Sequence, residues 1–499
     1  MCSATLGAGA LSLPYAVEQV GAAGGVLMLL LTSAASHYST VLLVSAIVQT
    51  GTRSYEELTV RLFGRTMGAI TEVAIVLFCY GSAIAYTMAL GDLVHPFASP
   101  LGLDQRTTIC LIWLFLMLPL SLVEKISQLH WPSLFGVLSV IYLVLSVVAH
   151  ACLCAVQEFT IASAAAPTAS AESAGLERIV GGEDGRMYLF AWGPSSMEAV
   201  AIALFAFTCQ VNVPALFAEL EEEAARSGAP APPPSQLLFP AAAEGPYSTP
   251  PQPHMEQRTQ RQTPQHQQQP NPQQKQQQEL LPVTKRSEPM KKVSFRAMCI
   301  CLTCYLLVGL AGYRDAPSSP NGNLLKNYCV VASTHSLVPT HSSSRLMAPA
   351  SLAMAVSVLM AYPFNIHPCR YTLDVMLFPH FGAVRSAARH IIWTFLIAGS
   401  GLLVSLYVPG INVVFQLMGS TCSAFVCFIL PASYGLMLQL PEASGVLGRI
   451  ACVALLFGGA TVGVLATAST IAGLMEGGTS NAHVASAMLD VCDRRTCHA

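Results

Sequence analysis

Hydrophobic positions along this chain do not alternate with polar ones at the period of a half-exposed helix or strand. They run on for about 20 residues at a time, the length that carries a helix across a ~30 Å hydrocarbon core. The runs Gly24 to Gln49, Pro132 to Val156, Ile391 to Val408, Ile411 to Leu438 and Ile450 to Met475 contain no Asp, Glu, Lys or Arg. Six others, Ala4 to Ala23, Met67 to Val94, Thr107 to Val123, Ser196 to Ala218, Val293 to Gly312 and Leu346 to Ile366, bring the expectation to about eleven transmembrane helices. The pattern predicts an all-α polytopic membrane protein. Met1 to Ala23 makes a poor signal peptide, because it lacks a basic start and is broken at Gly7, Gly9 and Pro14. It reads as a first helix already missing its beginning.

Composition agrees with the pattern. Only 10% of the residues are charged against 53% hydrophobic, less than half the charge that covers a soluble surface. This excludes a nucleic-acid binder and a soluble enzyme, and leaves the lipid bilayer as solvent. Most of the 16 cysteines sit inside apolar runs, where a thiol acts as a small hydrophobe. Cys299, Cys301 and Cys304 have no nearby His or carboxylate set and read as packing residues rather than a metal site. Cys329, Cys492 and Cys497 fall on the non-cytoplasmic side, where disulfides can form, with no pairing deducible. Neither a phosphate-binding loop nor a nucleophile triad is found, so no cofactor, no metal and no catalysis are expected.

A cytoplasmic N-terminus puts 17 of the 25 Lys and Arg residues on the inner side, among them Arg53, Arg61, Arg65, Lys125, Arg370, Arg385 and Arg389. The chain divides into 1–220, helices one to five as a first repeat plus helix six; 221–292, a Glu, Pro and Gln-rich loop; 293–475, helices seven to eleven; and a tail, 476–499. Between Gln252 and Gln278, 13 of 27 residues are Gln, a composition that cannot bury enough apolar surface to order itself. The loop is expected to be disordered. His254 and His266 within it are read as solvated.

Function in a membrane bundle is sought where a helix is broken at depth. Gly7-Ala8-Gly9-Ala10-Leu11-Ser12-Leu13-Pro14 interrupts the first span, leaving backbone N–H groups beside the positive end of a half-helix, an arrangement suited to a carboxylate. Tight helix packing through small residues is the competing reading. A second interruption, Phe205-Ala206-Phe207-Thr208-Cys209-Gln210-Val211-Asn212-Val213-Pro214, falls in the sixth span. Breaks five helices apart are expected if helices one to five and six to ten are inverted repeats holding a substrate where the breaks meet.

These residues carry a resemblance. Gly7 to Ala16 followed by Gly21 resembles the first-helix signature of the amino acid/auxin permease family, which includes vacuolar and sodium-coupled neutral amino acid transporters. Ser54-Tyr55-Glu56-Glu57-Leu58 with Phe63-Gly64, Phe205 to Gln210, and Tyr362 to Arg370 resemble the family's segments before helix three, in helix six and at the end of helix eight. The resemblance implies a core like the bacterial leucine transporter, five helices plus five with one extra, working by alternating access. Transferred residue by residue, it implies that Gly7, Ala8 and Gly9 donate to the substrate α-carboxylate, with Ser3 and Thr5 just before them. Phe207 and Thr208 would border the amino group and side chain, with Cys209 and Gln210 as neighbours. Family members often carry Asn where Ser3 stands, and sodium-coupled relatives place a hydroxyl where this chain has Ala361. Ala supplies no oxygen to a hard cation, although Ser357 lies one turn earlier. Proton-coupled or uncoupled movement of small neutral amino acids is therefore expected ahead of sodium symport, at the plasma membrane or in a vacuole- or lysosome-like compartment. An amino-acid sensor signalling through the loop is the alternative. His37, Glu72, Asp92, His367 and Glu18 are the ionisable groups at or near membrane depth, each read first as a structural or interfacial residue.

Overall fold

The computed structural model describes residues 1–122, 130–164, 187–193, 195–226, 283–317, 322–328, 342–378 and 387–476. The glutamine-rich loop with His254 and His266, and also Lys125, Arg385, Cys329, Cys492 and Cys497, lie outside the described residues. Among the described residues the chain is helical without strands, and ten helices are long and apolar enough to cross a membrane. In chain order the helices are α1 (Cys2–Thr5), α2 (Leu13–Val20), α3 (Ala22–Thr50), α4 (Tyr55–Phe63), α5 (Arg65–Ala98), α6 (Gln105–Ile112), α7 (Leu118–Leu122) and α8 (His130–Ala164). They continue with α9 (Ser195–Ala206), α10 (Val213–Arg226), α11 (Val283–Asp315), α12 (Ser342–Leu377), α13 (Ala387–Ser405), α14 (Ile411–Met418), α15 (Leu430–Met437) and α16 (Val446–Glu476).

The first apolar run is not one helix. α1 gives way at Leu6 and Gly7, a tight 3-10 turn occupies Ala8–Ser12, and α2 follows with Pro14 in its first turn, where a missing N–H costs nothing. α2 ends at Gly21 (φ +79°), where a Cβ would lie 2.7 Å from the Leu189 carbonyl oxygen. Any side chain there would push the 187–193 segment away. With Gly21 in place, Ala22 N–H donates to Tyr188 O at 2.8 Å and Ala23 N–H to Leu189 O at 2.9 Å, so that segment closes over the start of α3.

Between the long helices, α4 is a short amphipathic element capped by Ser54. Ser54 Oγ accepts from Glu57 N–H at 3.1 Å while Glu57 Oε2 accepts from Arg53 N–H at 2.9 Å. α6 and α14 each continue into a wider π-helical stretch, Trp113–Met117 and Gly419–Ile429, before α7 and α15. α12 packs on α5 and α8, and α11 on α2, α3 and α8, so the interrupted first segment is enclosed in the bundle. Leu11, Leu13, Leu29, Phe207, Tyr305 and Phe415 are fully buried there. The periphery is apolar too: Leu31, Phe115, Phe135, Leu138, Phe457 and Val464 are exposed, as a lipid-facing surface requires.

Candidate functional site

The two interruptions lie against one another. A Cβ on Gly9 would sit 3.1 Å from Ala206 Cα and 3.2 Å from Ala206 Cβ, so only glycine lets the first segment approach the end of α9 this closely. Tyr305, projecting from α11, ties them together. Its hydroxyl bonds the carbonyls of Thr5 at 2.6 Å and Ala206 at 3.0 Å, the two residues at which the helices stop. One hydroxyl proton is shared between the two carbonyls.

The sixth-span break is held by side chains turned back on the backbone. Cys209 N–H donates to Gln210 Oε1 at 2.9 Å, and Gln210 Nε2 donates to Ser36 Oγ at 3.0 Å and Ser36 O at 3.3 Å. Ser36 Oγ in turn donates to Phe207 O at 2.8 Å. Thr208 Oγ1 donates to Leu204 O at 2.7 Å. At the first break, Ala10 N–H donates to Gly7 O at 3.1 Å, whereas neither Ala8 N–H nor Gly9 N–H makes a hydrogen bond among the described residues.

Ala8 and Gly9 line a cavity of about 830 Å³. Of the residues singled out from the sequence, Ser3, Thr5, Gly7, Ala8, Gly9, Thr208, Ser357 and Ala361 line it. Phe207, Cys209 and Gln210 do not: all three are buried behind the break, with Phe207 packed edge-on against Tyr305 at 5.0 Å between ring centroids. Sequence reasoning did not single out the wall supplied by α5, where Phe78, Cys79, Ser82 and Tyr86 face the interruptions. Ser82 Oγ is a buried hydroxyl with no hydrogen-bond partner among the described residues. Ser357 Oγ donates to Gly136 O at 3.4 Å, joining α12 to α8 across the wall that also carries Ala361. Tyr305 and Ser82 share a signal that could have found them, a polar tip inside an otherwise apolar run.

The ends of the cavity differ. Beyond the interruption, Ser12 Oγ donates to Gly322 O, and the 322–328 segment is fastened by Asn323 Nδ2 and Lys326 Nζ to Asp92 at 3.2 and 2.7 Å. Tyr328 donates to Asp315 Oδ2 at 2.8 Å, the oxygen that His150 Nδ1 also approaches at 2.8 Å. Burial, with the Asp315 carboxylate beside it, pushes the Tyr328 hydroxyl well above its ordinary range, so it remains a donor. At the opposite end the lining continues through Glu219, Phe364, His367, Arg370, Tyr371 and Trp393 to the surface, where Tyr371 is 57% exposed.

The other ionisable groups are used locally. His37 Nδ1 lies 3.1 Å from Ser294 Oγ with its ring edge-on to Phe295, and Asp92 also accepts from Gln105 Nε2 at 2.6 Å. Glu18 has a partner of its own and Glu72 is half-buried on α5. Cys301 and Cys304 are buried on α11, and Cys299 faces outward.

The sequence is similar to those of known proteins. The chain is 22% identical to Vacuolar amino acid transporter 6 of Saccharomyces cerevisiae over 481 residues, covering 86% of each chain. It is 23% identical to Vacuolar amino acid transporter 5 of Schizosaccharomyces pombe, covering 87% of this chain and 81% of the relative. A Bos taurus protein provisionally named sodium-coupled neutral amino acid transporter 11 is 24% identical, with 87% and 74% covered. A family model described as "Transmembrane amino acid transporter protein" matches residues 1–229 and 279–476, on both sides of the glutamine-rich segment and through both interruptions. The chain therefore belongs to the transmembrane amino acid transporter protein family.

Proposed function

We propose that this protein is a secondary active transporter that moves small neutral amino acids by alternating access, driven by a proton gradient or by the substrate gradient alone. The observation that carries the reading is the cavity between the two interruptions. Its ~830 Å³ lies in the range of small-ligand sites, and two backbone N–H groups without partners line it. The substrate carboxylate is held at Ala8 and Gly9, where the following half-helix adds a positive end. Thr5 and Thr208 border the amino group, and Phe78, Ser82 and Tyr86 on α5 border the side chain.

The difference between the two ends supports an inward-facing conformation, closed on the non-cytoplasmic side by the 187–193 and 322–328 segments and open toward Tyr371. Interruptions in the first and sixth spans are what two inverted repeats of five helices require. Sodium coupling is disfavoured because Ala361 offers no side-chain oxygen and Ser357 Oγ is directed at Gly136 O. Relatives named as vacuolar transporters make a vacuole-like membrane a natural location, beside the plasma membrane.

The test is uptake of radiolabelled neutral amino acids into proteoliposomes, with sodium replaced by potassium and pH varied on each side. Flux that persists without sodium supports the reading. Flux that requires sodium removes the coupling argument, and binding without flux at any gradient would favour an amino-acid sensor.

A further inference from the structure

Arg370 is an unusual residue to find on the wall of a cavity in a membrane bundle. It is 8% exposed and set on α12 where that helix meets α7 and α13. Its guanidinium donates to Thr394 Oγ1 at 2.7 Å, Ser121 O at 3.3 Å and, through Nη2, to His367 Nδ1 at 2.6 Å. A guanidinium carries donors only and keeps its proton throughout the accessible pH range. The imidazole nitrogen facing it therefore accepts with its lone pair, and His367 carries its single ring proton on Nε2. His390 Nε2 stands 3.3 Å from Arg370 Nη1 and 3.2 Å from Leu122 O, able to accept from one or donate to the other.

We infer that His367 is the binding site of the coupling proton and that Arg370 is the positioning residue that empties it. This rests on the proton-coupled form of the function proposed above. His367 lines the cavity on the stretch that reaches the surface, so water has access to its ring. Arg370 is anchored to α7 and α13 as well as to His367, so its distance from Nδ1 depends on how those helices pack on α12. In the conformation described here Arg370 occupies the lone pair and the site is empty. In the opposite-facing conformation a shift of α7 and α13 against α12 withdraws the guanidinium, and Nδ1 takes a proton from water on the non-cytoplasmic side. On return, two cations cannot share that hydrogen bond: the N–H bond of the imidazolium breaks, its proton passes to cavity water, and an Arg370 N–H takes its place.

The charged and titratable groups around this site, among the described residues, are few. Asp374 and Arg389 are 3.7 Å apart, and Asp374 also accepts from Trp393 Nε1 at 3.3 Å. Glu219 on α10, Cys79 and Tyr86 on α5, and Met1 line the same cavity, and Cys369 and Tyr371 flank Arg370 on α12. α7 presents backbone carbonyls to it, from Ser121 and Leu122.

The experiment uses the full chain in proteoliposomes, with L-alanine and L-serine as probes, the membrane potential clamped at zero and pyranine inside to report protons. An inward gradient of about one pH unit is a tenfold proton ratio, so one proton per substrate drives accumulation to about tenfold in the wild type. In His367→Gln the accumulation, normalised to counterflow exchange in the same vesicles, falls to about onefold and the substrate-dependent pyranine signal disappears. Normalised accumulation at the wild-type level in His367→Gln overturns the inference and leaves the transport reading standing. Exchange without any response to pH in the wild type removes proton coupling itself, and the inference with it. Should His367→Gln not fold, Arg370→Gln decides: removing the neighbouring cation moves the acid limb of the wild-type pH profile to higher pH, and an unmoved limb overturns the inference.

Discussion

The hydroxyl of Tyr305 is the most exacting test of the site, because a single atom bridges both interruptions. Tyr305→Phe keeps the ring that packs on Phe207 and deletes the donor to Thr5 O and Ala206 O. A buried acceptor left without its donor costs about 1–3 kcal/mol. Only one proton is lost, and both Thr5 and Ala206 line the cavity, where water can replace part of the bond. The lower part of that range, about 1.4 kcal/mol, then applies, which is roughly tenfold in the population of the clamped arrangement. On the proposed function substrate affinity falls by a similar factor, since the backbone donors assigned to the carboxylate sit on the first break, which Tyr305 holds to α9. The assay is amino-acid-dependent thermal stabilisation of purified protein in detergent, with exchange in proteoliposomes measured in parallel. An affinity within twofold of wild type together with an unchanged unfolding midpoint would refute the reasoning.

Three other perturbations separate the parts of the site. Gly9→Ala places a methyl 3.1 Å from Ala206 Cα and Gly9→Val adds more, so exchange should decline in that order as overpacking of about 1–3 kcal/mol pries the interruptions apart; equal exchange in Gly9→Val and wild type would mean that the close approach is unimportant. Gln210→Leu strands Cys209 N–H and removes a donor to Ser36, whose hydroxyl keeps its bond to Phe207 O, lowering stability by about 2 kcal/mol with the order of preferred substrates unchanged, and competition assays that show a new order would place Gln210 in substrate contact. Ser82→Ala removes a hydroxyl with no partner in the described structure, so the unfolding midpoint should hold or rise while the kcat/KM ratio of serine to alanine falls by about tenfold; a midpoint lowered by several degrees would show that the hydroxyl supports the fold.

The spans were legible because hydrocarbon forces each crossing segment to satisfy its own backbone, which makes a charge-free run of sufficient length a helix whatever its detailed sequence. Their ends were less so. α11 starts at Val283, ten residues before the apolar run begins at Val293, because Lys285, Arg286, Glu288, Lys291 and Lys292 continue the helix beyond the membrane, where hydropathy carries no signal. The π-helical stretch at Gly419–Ile429 was not legible either; it begins at Gly419, which lies against the backbone of Ala201, a contact between segments far apart in the chain. The interruptions stood out through Gly7, Gly9, Pro14 and Pro214, residues whose backbone chemistry is local. What the polar residues near them do was not local. Gln210 looks like a substrate ligand in the sequence and in the structure spends its amide on Cys209 and Ser36, while Tyr305, remote in the chain, holds both breaks.

In a medium without water, each amide left unpaired by an interruption costs several kcal/mol, so every one needs a substitute partner. Cys209 N–H has Gln210, Phe207 O has Ser36, and Thr5 O and Ala206 O have Tyr305. Two of the substitutes, Ser36 on α3 and Tyr305 on α11, come from other helices, which makes the interruptions properties of the assembled bundle. Ala8 and Gly9 N–H are left over among the described residues, and both lie on the cavity wall. On the proposed function, Ala8 and Gly9 N–H are available to a ligand that enters the cavity. Cavity water can occupy them between cycles, and an anionic carboxylate bonds such donors more strongly than water does. In the proposed function, recognition of the substrate carboxylate begins at these donors, with the α5 side chains beside them.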